Sequence, residues 1–505
     1  MELSRRQVLQ GVSLVAGGAV LAACQPKIVE VEKEVTKVVK EVVKETVMVE
    51  GTPQVVEKEV TRVIAATAAP VEVTEVIVWG KETSVPGGNR AMIEGFNEQS
   101  EDIQIKAESV PSVAGQTAGQ MQKILTAIAA GTVPDFFYLD RFLGTEFAGR
   151  QAILPMDEYI DAGSISRHEF VDACWGEGSF EGKQYNIPAS EGNIGYWSLA
   201  YNKDIMADAG LDPESPPTSW AEVQQAAITM TDAEGSSFRR IGMVPLYGAS
   251  FLYQWAWAND GFLVNEEDTK VTLTDPNVVE ALEFVVQFYD ALGGAEKINA
   301  FSAGFQGAAD DPFLTGLLGM VMYGEYQLPS TAKYKPDLNM GVTFFPKPRP
   351  EAPSTTWVGG WSWALPRGSE KPAEAFAAIE WLAREDGLMA YQAGQSAEAE
   401  KEGGVWIPLI AAHLKTNDLG RKVYYQKLKD KAPHVAEGYD FYYAAPEAYD
   451  RMFYRPKTLI ASLLWEAQVS AAQEAAYGQK TALEALTDWE ERCQEALDEA
   501  RAKTS

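Results

Sequence analysis

Residues 75–110 read EVIVWGKETSVPGGNRAMIEGFNEQSEDIQIKAESV, and the alternation inside this stretch decides the fold class. Glu75-Val76-Ile77-Val78-Trp79 is apolar and β-branched, which predicts a strand. A loop follows from Gly80 to Asn89. From Arg90 to Gln99, Met92, Ile93 and Phe96 share one side of a helix. Ile103 to Val110 alternates as a second strand. Gln120 to Ala130 is the next helix, ended by Gly131, and Pro134-Asp135 introduces a third strand at Phe136-Phe137-Tyr138-Leu139. Strand and helix in turn predict an α/β fold of parallel sheets covered by helices. Ligands of such sheets sit beyond the carboxyl ends of the strands. Topology therefore places Trp79, Gly80 and the loop to Thr83, together with Asp140 and Arg141, at the mouth of a site.

Upstream, residues 1–23 read as a signal peptide. Arg5-Arg6 is a twin-arginine pair, and a small-residue apolar run extends from Val12 to Ala23, short for a bilayer span of about 20 residues. The run ends in Leu21-Ala22-Ala23-Cys24, which resembles a bacterial lipobox. The resemblance implies cleavage before Cys24 and lipidation of its sulfur, so that the mature chain is held at the outer face of the cell membrane or in the periplasm. Residues 24–70 carry that cysteine and a segment of Val, Glu, Lys and Thr in which seven basic and eight acidic side chains nearly cancel. Ile28, Val31, Val35, Val38, Val42 and Val49 have heptad-like spacing, which permits a short coiled coil. Val is a poor helix former and Gly51-Thr52-Pro53 breaks the run, so a flexible stalk with a reach of about 35 Å is the favoured expectation.

The remainder, from Val71, is long enough for two domains. A formal net charge of −29 argues against nucleic acid, which is bound by Lys and Arg. Three scattered histidines and the absence of any Cys cluster or HExxH point to no metal and no cofactor. Neither a GxSxG motif nor a phosphate loop occurs. Cys174 and Cys493 either pair or remain buried thiols.

The order of motifs resembles the family 1 extracellular solute-binding proteins. Those motifs are Ala129-Ala130-Gly131-Thr132-Val133-Pro134-Asp135, Leu154-Pro155-Met156-Asp157, Tyr201-Asn202-Lys203-Asp204, Pro217-Thr218-Ser219-Trp220, Gly319-Met320-Val321-Met322, Val358-Gly359-Gly360-Trp361 and Pro372-Ala373-Glu374-Ala375-Phe376. The resemblance implies a two-lobed, periplasmic-binding-protein type II fold with hinge strands. Its lobes would be residues 71–190 with about 358–405, and about 191–357 with 406–505. It also implies a monomer that closes on a sugar or oligosaccharide and delivers it to the permease subunits of an ABC transporter. The site residues it implies are Asp140, Arg141 and Glu191, with Tyr326 and Trp361 as aromatic faces. Trp257 joins them because Trp255 and Trp257 precede Asn259-Asp260-Gly261, a cleft-facing loop in the family, and Glu82 joins from the loop after the first strand. A neutral sugar presents apolar faces to rings and hydroxyls to planar charged groups, which suits this set. Trp220, Trp381 and Trp489 lie in helical contexts and read as packing. Two other classes fit the composition: an extracellular carbohydrate-active enzyme, which needs two carboxylates at a fixed separation, and a lipid-anchored sensor.

Overall fold

The structure, a computed structural model, describes residues 34–49, 52–67 and 73–504, apart from residues 82, 85, 109–116, 190–193, 195, 236, 249, 303, 306 and 307. Its strands are β1 (Glu34–Val49), β2 (Thr52–Thr67), β3 (Thr74–Trp79), β4 (Ile103–Glu108), β5 (Phe136–Asp140), β6 (Ser179–Phe180), β7 (Lys183–Gln184) and β8 (Asn186–Ala189). They continue with β9 (Trp197–Asn202), β10 (Asp232–Glu234), β11 (Ser237–Arg240), β12 (Met320–Gly324), β13 (Met340–Thr343), β14 (Thr355–Trp357), β15 (Trp361–Ala364) and β16 (Arg451–Phe453).

The segment expected to be a flexible stalk or coiled coil is instead a two-stranded antiparallel hairpin. β1 pairs with β2 from Glu34↔Thr67 to Val49↔Thr52. Valine is the physical reason: its branched Cβ disfavours a helix and favours an extended chain. This hairpin belongs to one compact unit, Met1–Glu75 with Gln99–Gln104. The second unit, Val76–Glu98 with Ile105–Ser505, holds the three-stranded sheet and most of the five-stranded one.

The first sheet has the order β4-β3-β5-β15-β8 and the second the order β12-β9-β13. The alternating strands and helices between Thr74 and Asp140 stand where the sequence places them, to within a few residues. Val76, Val78, Phe136 and Leu139 are fully buried, and Met92, Ile93 and Phe96 pack from helix Gly88–Gln99. Burying both faces of a central strand explains its unbroken apolar run.

The expectation of parallel sheets needs correcting. β3 and β5 are parallel, but β15 runs antiparallel to both β5 and β8, and β9 runs antiparallel to both β12 and β13. The reason lies in the path of the chain. It leaves the first sheet after Ala189 and enters the second at Trp197, then returns between Trp357 and Trp361. A strand that enters from a crossing must run away from it, whereas β5, β8 and β12 run toward it. The same geometry gathers the first sheet's Asp140, Ala189 and Trp361 at one edge, with Trp361 paired to both of the others. At the matching edge of the second sheet, Trp197 pairs with Gly324. Seven residues separate Ala189 from Trp197, so the two edges are at most about 28 Å apart, at about 3.5 Å per residue.

Candidate functional site

Trp361 stands at the start of β15, where the returning chain enters the first sheet. Gly360 before it has φ 124°, a conformation open to glycine and strained for other residues. Its carbonyl accepts from the Arg141 backbone N–H at 3.1 Å, which clamps the crossing to the end of β5. The half-buried Trp361 ring lies flat on Tyr138, with centroids 4.8 Å apart and planes 8° apart. Lys81 Nζ sits 3.3 Å from the Tyr138 centroid, which adds a cation–π contact to the stack.

Beside this platform lies a compact set of charges. Both Asp140 carboxylate oxygens accept from Arg455, one of them at 3.1 Å. Glu177 Oε2 accepts from Arg141 Nε at 2.9 Å, and its other oxygen is 3.8 Å from Arg455 Nε. Two acids and two guanidiniums give the group a formal charge of zero. Burial pushes the Glu177 carboxyl up from its ordinary range, while Arg141 and Arg455 pull it back. Burial also raises the Cys174 thiol to about 11, despite the lowering effect of Arg141. Cys174 and Cys493 are both buried free thiols.

Arg455 reaches this group from the segment that follows β16. Its guanidinium lies 3.9 Å from the Phe142 centroid and 5.1 Å from that of Trp357. Trp357, at the end of β14, is the hub of an aromatic cluster that takes in Phe251 and Trp465, at 5.7 and 6.2 Å. Phe251 and Trp465 are half-buried. Across the crossing, Tyr326 follows Gly324 at the end of β12 and packs edge-on to Trp197 at 6.4 Å. It keeps 42% of its surface open, yet burial raises its hydroxyl pKa.

The structure thus sorts the expected site residues. Asp140 and Trp361 are register partners at one sheet edge, and Tyr326 is an exposed ring at the edge of the other. Arg141 lies in the interior. It is fully buried, and its side chain donates to Glu177, Cys174 and the carbonyls of Gly359 and Trp361. Trp257 is 2% exposed, on helix Leu252–Ala258, stacks on Phe453 and packs edge-on to Trp357. Glu82 and Glu191 lie outside the described residues. Sequence reasoning missed Arg455, Glu177, Trp357, Trp197 and Trp465. Arg455 meets Asp140 across 315 positions, and its only local sign is the aromatic–basic run Phe453-Tyr454-Arg455-Pro456-Lys457.

Residues 80–389 match the bacterial extracellular solute-binding proteins. The chain belongs to that family. This solute-binding protein is 24% identical over 299 residues to the sn-glycerol-3-phosphate-binding periplasmic protein of Brucella abortus. That alignment takes in 57% of the chain and 65% of the relative, so the chain spans somewhat under two thirds of its relative's length. The Salmonella typhimurium counterpart is 23% identical over 383 residues, which is 72% of this chain and 80% of that one.

Among solved structures, CpMnBP1 with mannobiose bound superposes with a TM-score of 0.67 at 24% identity, covering 86% of this chain and all of that one. An ABC substrate-binding protein from Listeria monocytogenes in complex with cycloalternan gives 0.64 at 18% identity, covering 84% and 99%. The sugar-binding protein MalE from Xanthomonas citri gives 0.62 at 19%, covering 85% and 98%. The likeness establishes the two-lobed α/β fold with its hinge strands.

Proposed function

We propose that this solute-binding protein captures a neutral carbohydrate between its two lobes and hands it to an ABC importer, without converting it. The observation that carries the reading is the edge formed by Asp140 and Trp361 beside the crossing strands, with Tyr326 on the opposite sheet. A ring laid flat on Tyr138 offers its other face to the C–H face of a sugar. The Asp140 carboxylate, 14% exposed at its side chain, keeps lone pairs for hydroxyls. The lobes of the proposal are residues 71–190 with 358–405, and 191–357 with 406–505. Membership of β3, β5, β8 and β15 in one sheet and of β9, β12 and β13 in the other supports that division.

The sequence relatives named for sn-glycerol 3-phosphate support a second reading, capture of a phosphorylated polyol. Charge favours the first. Arg141 and Arg455 are already matched by Glu177 and Asp140, so neither guanidinium is left over for a phosphate. Calorimetry with mannobiose, maltose and sn-glycerol 3-phosphate separates the two. The proposal expects saturable binding of a neutral saccharide that is recovered intact. Binding of the phosphate ester alone, or hydrolysis of a bound saccharide, contradicts it.

Export through the twin-arginine pair and lipid anchoring at Cys24 complete the proposal, supported by the Arg5-Arg6 pair and Leu21-Ala22-Ala23-Cys24. They set the protein outside the cytoplasmic membrane, where the importer's permease subunits are reached by a monomer. Cys24→Ser releases the protein or leaves its precursor uncleaved. Unchanged processing and membrane retention refute the anchor.

A further inference from the structure

The aromatic platform at the sheet edge has a charge behind it. Trp361 lies flat on one face of Tyr138, with centroids 4.8 Å apart. Lys81 Nζ stands 3.3 Å from the same Tyr138 centroid. A parallel ring and an ammonium this close to one centroid would collide on a shared face, so they hold opposite faces and Tyr138 lies between them. Trp363, fully buried, closes a further side of Tyr138 at 5.2 Å with its plane tilted by 58°. The Trp363 centroid is also 5.2 Å from Lys81 Nζ.

The backbone is shaped to bring Lys81 there. β3 runs beside β5 with Trp79 opposite Phe137, so the next residue, Gly80, comes level with Tyr138. Gly80 has φ 91°, and a Cβ on it would stand 2.8 Å from the Tyr138 Cβ. Glycine therefore permits both the turn and the close passage. The turn lays Lys81 over the ring, where it is only 6% exposed. An ammonium so far out of water gives up hydration, which the aromatic faces offset in part. An uncharged chain of the same length would fill this space with less desolvation, so the charge points to a task beyond filling the core.

We propose that Lys81 is a positioning residue for the saccharide platform: from the far face of Tyr138 its ammonium fixes the plane of that ring, and through it the plane that Trp361 presents to the sugar. The inference rests on the carbohydrate reading and deepens it. Trp361 is half-buried, so its own packing leaves it room to tilt. A ring already ordered in the binding orientation binds more tightly, because less freedom is lost when the ligand arrives. Lys81 acts through Trp361, since Tyr138 and Trp361 stand between its Nζ and the face of the sugar.

Fluorine NMR of the full chain labelled with 5-fluorotryptophan tests this, the Trp361 line being assigned by its loss in Trp361→Phe. Lys81→Met keeps the length of the side chain and removes the charge, whereas Lys81→Arg keeps the charge. In the ligand-free protein the Trp361 line should shift or broaden in Lys81→Met and stay in place in Lys81→Arg. Affinity for mannobiose or maltose, by calorimetry, should fall about fivefold or more in Lys81→Met and less than about twofold in Lys81→Arg. In a Trp361→Ala background Lys81→Met should change affinity less than about twofold, because the platform it serves is gone. An unmoved Trp361 line in folded Lys81→Met overturns the proposal, as does Lys81→Arg behaving like Lys81→Met. An equal loss of affinity in both backgrounds also overturns it, because Lys81 then acts on the ligand directly. If Lys81→Met fails to fold, Lys81→Gln takes its place under the same criteria. If neither saccharide binds the parent protein, the carbohydrate reading fails, and the Trp361 line still decides whether Lys81 holds the ring.

Discussion

Replacing Asp140 with Asn separates two things this carboxylate can do. In the structure both of its oxygens are engaged by Arg455, whose side chain is 5% exposed against 14% for Asp140. Asn has the same shape and keeps one oxygen. It loses the second acceptor, turns an NH2 toward the guanidinium, and leaves the four-residue group with a net charge of +1 in a place with little water. Hydrogen bonds to charged groups are worth about 1.5–3 kcal/mol, and at this exposure screening removes little of it. The expected loss of stability is therefore about 1.5–3 kcal/mol, a fall of about 2–3 °C in melting temperature at about 1 °C per kcal/mol for a unit of this size. Arg455→Gln should cost a similar amount or more, because Asp140 and Glu177 then lose a shared partner. The double variant should fall short of the sum by about 0.5–3 kcal/mol, since the two residues contact each other. Calorimetric melting of the four proteins without ligand measures this directly. An unchanged melting temperature in Asp140→Asn, with saccharide affinity lost, would refute the reasoning. The carboxylate would then face the ligand alone and the ion pair would carry no stability.

Three further outcomes follow from neighbouring groups. Trp361→Ala removes a stack on Tyr138 worth about 0.5–1.5 kcal/mol of stability, and should weaken saccharide binding at least tenfold by calorimetry; unchanged affinity excludes the ring as a platform. His413 is buried, with Nδ1 2.8 Å from Thr416 Oγ1, and burial lowers its pKa below the ordinary 6.5. The neutral ring therefore contributes stability above pH 6.5 that is lost as pH falls through the depressed value, and melting curves of His413→Gln should decline less steeply below pH 6.5 than those of the parent. Cys174, its thiol raised to about 11 by burial, should resist iodoacetamide at pH 8 in the native protein and react in urea, as mass spectrometry will register.

The half of the fold built on strict periodicity was legible in the sequence. β3, helix Gly88–Gln99, β4 and β5 each bury a regular stripe or run, and their residues carry that period openly. Strand direction was not legible, because an apolar run such as Trp197–Asn202 reads the same whether it runs toward a crossing or away from it. The Val-rich hairpin was misread for a related reason: spacings of three, four and seven also occur in a two-strand ribbon with doubled valines. The position of Asp140 and Trp361 at strand ends was legible because strand ends are local features. The burial of Arg141 was not legible, because a charged residue next to a strand end looks exposed and only the fold supplies Glu177 and the Gly359 carbonyl to it. Arg455 could not be found at all, since its partner lies 315 positions away.

In the proposed function the two lobes close on a saccharide. Small-angle X-ray scattering of the full chain, with and without a saturating saccharide identified by calorimetry, tests that claim most directly. A ligand that prefers the closed form shifts the equilibrium by its differential affinity for the two states. A smaller radius of gyration with the sugar, reversed on its removal, is the predicted result. A radius that does not change while the site is demonstrably full would contradict it.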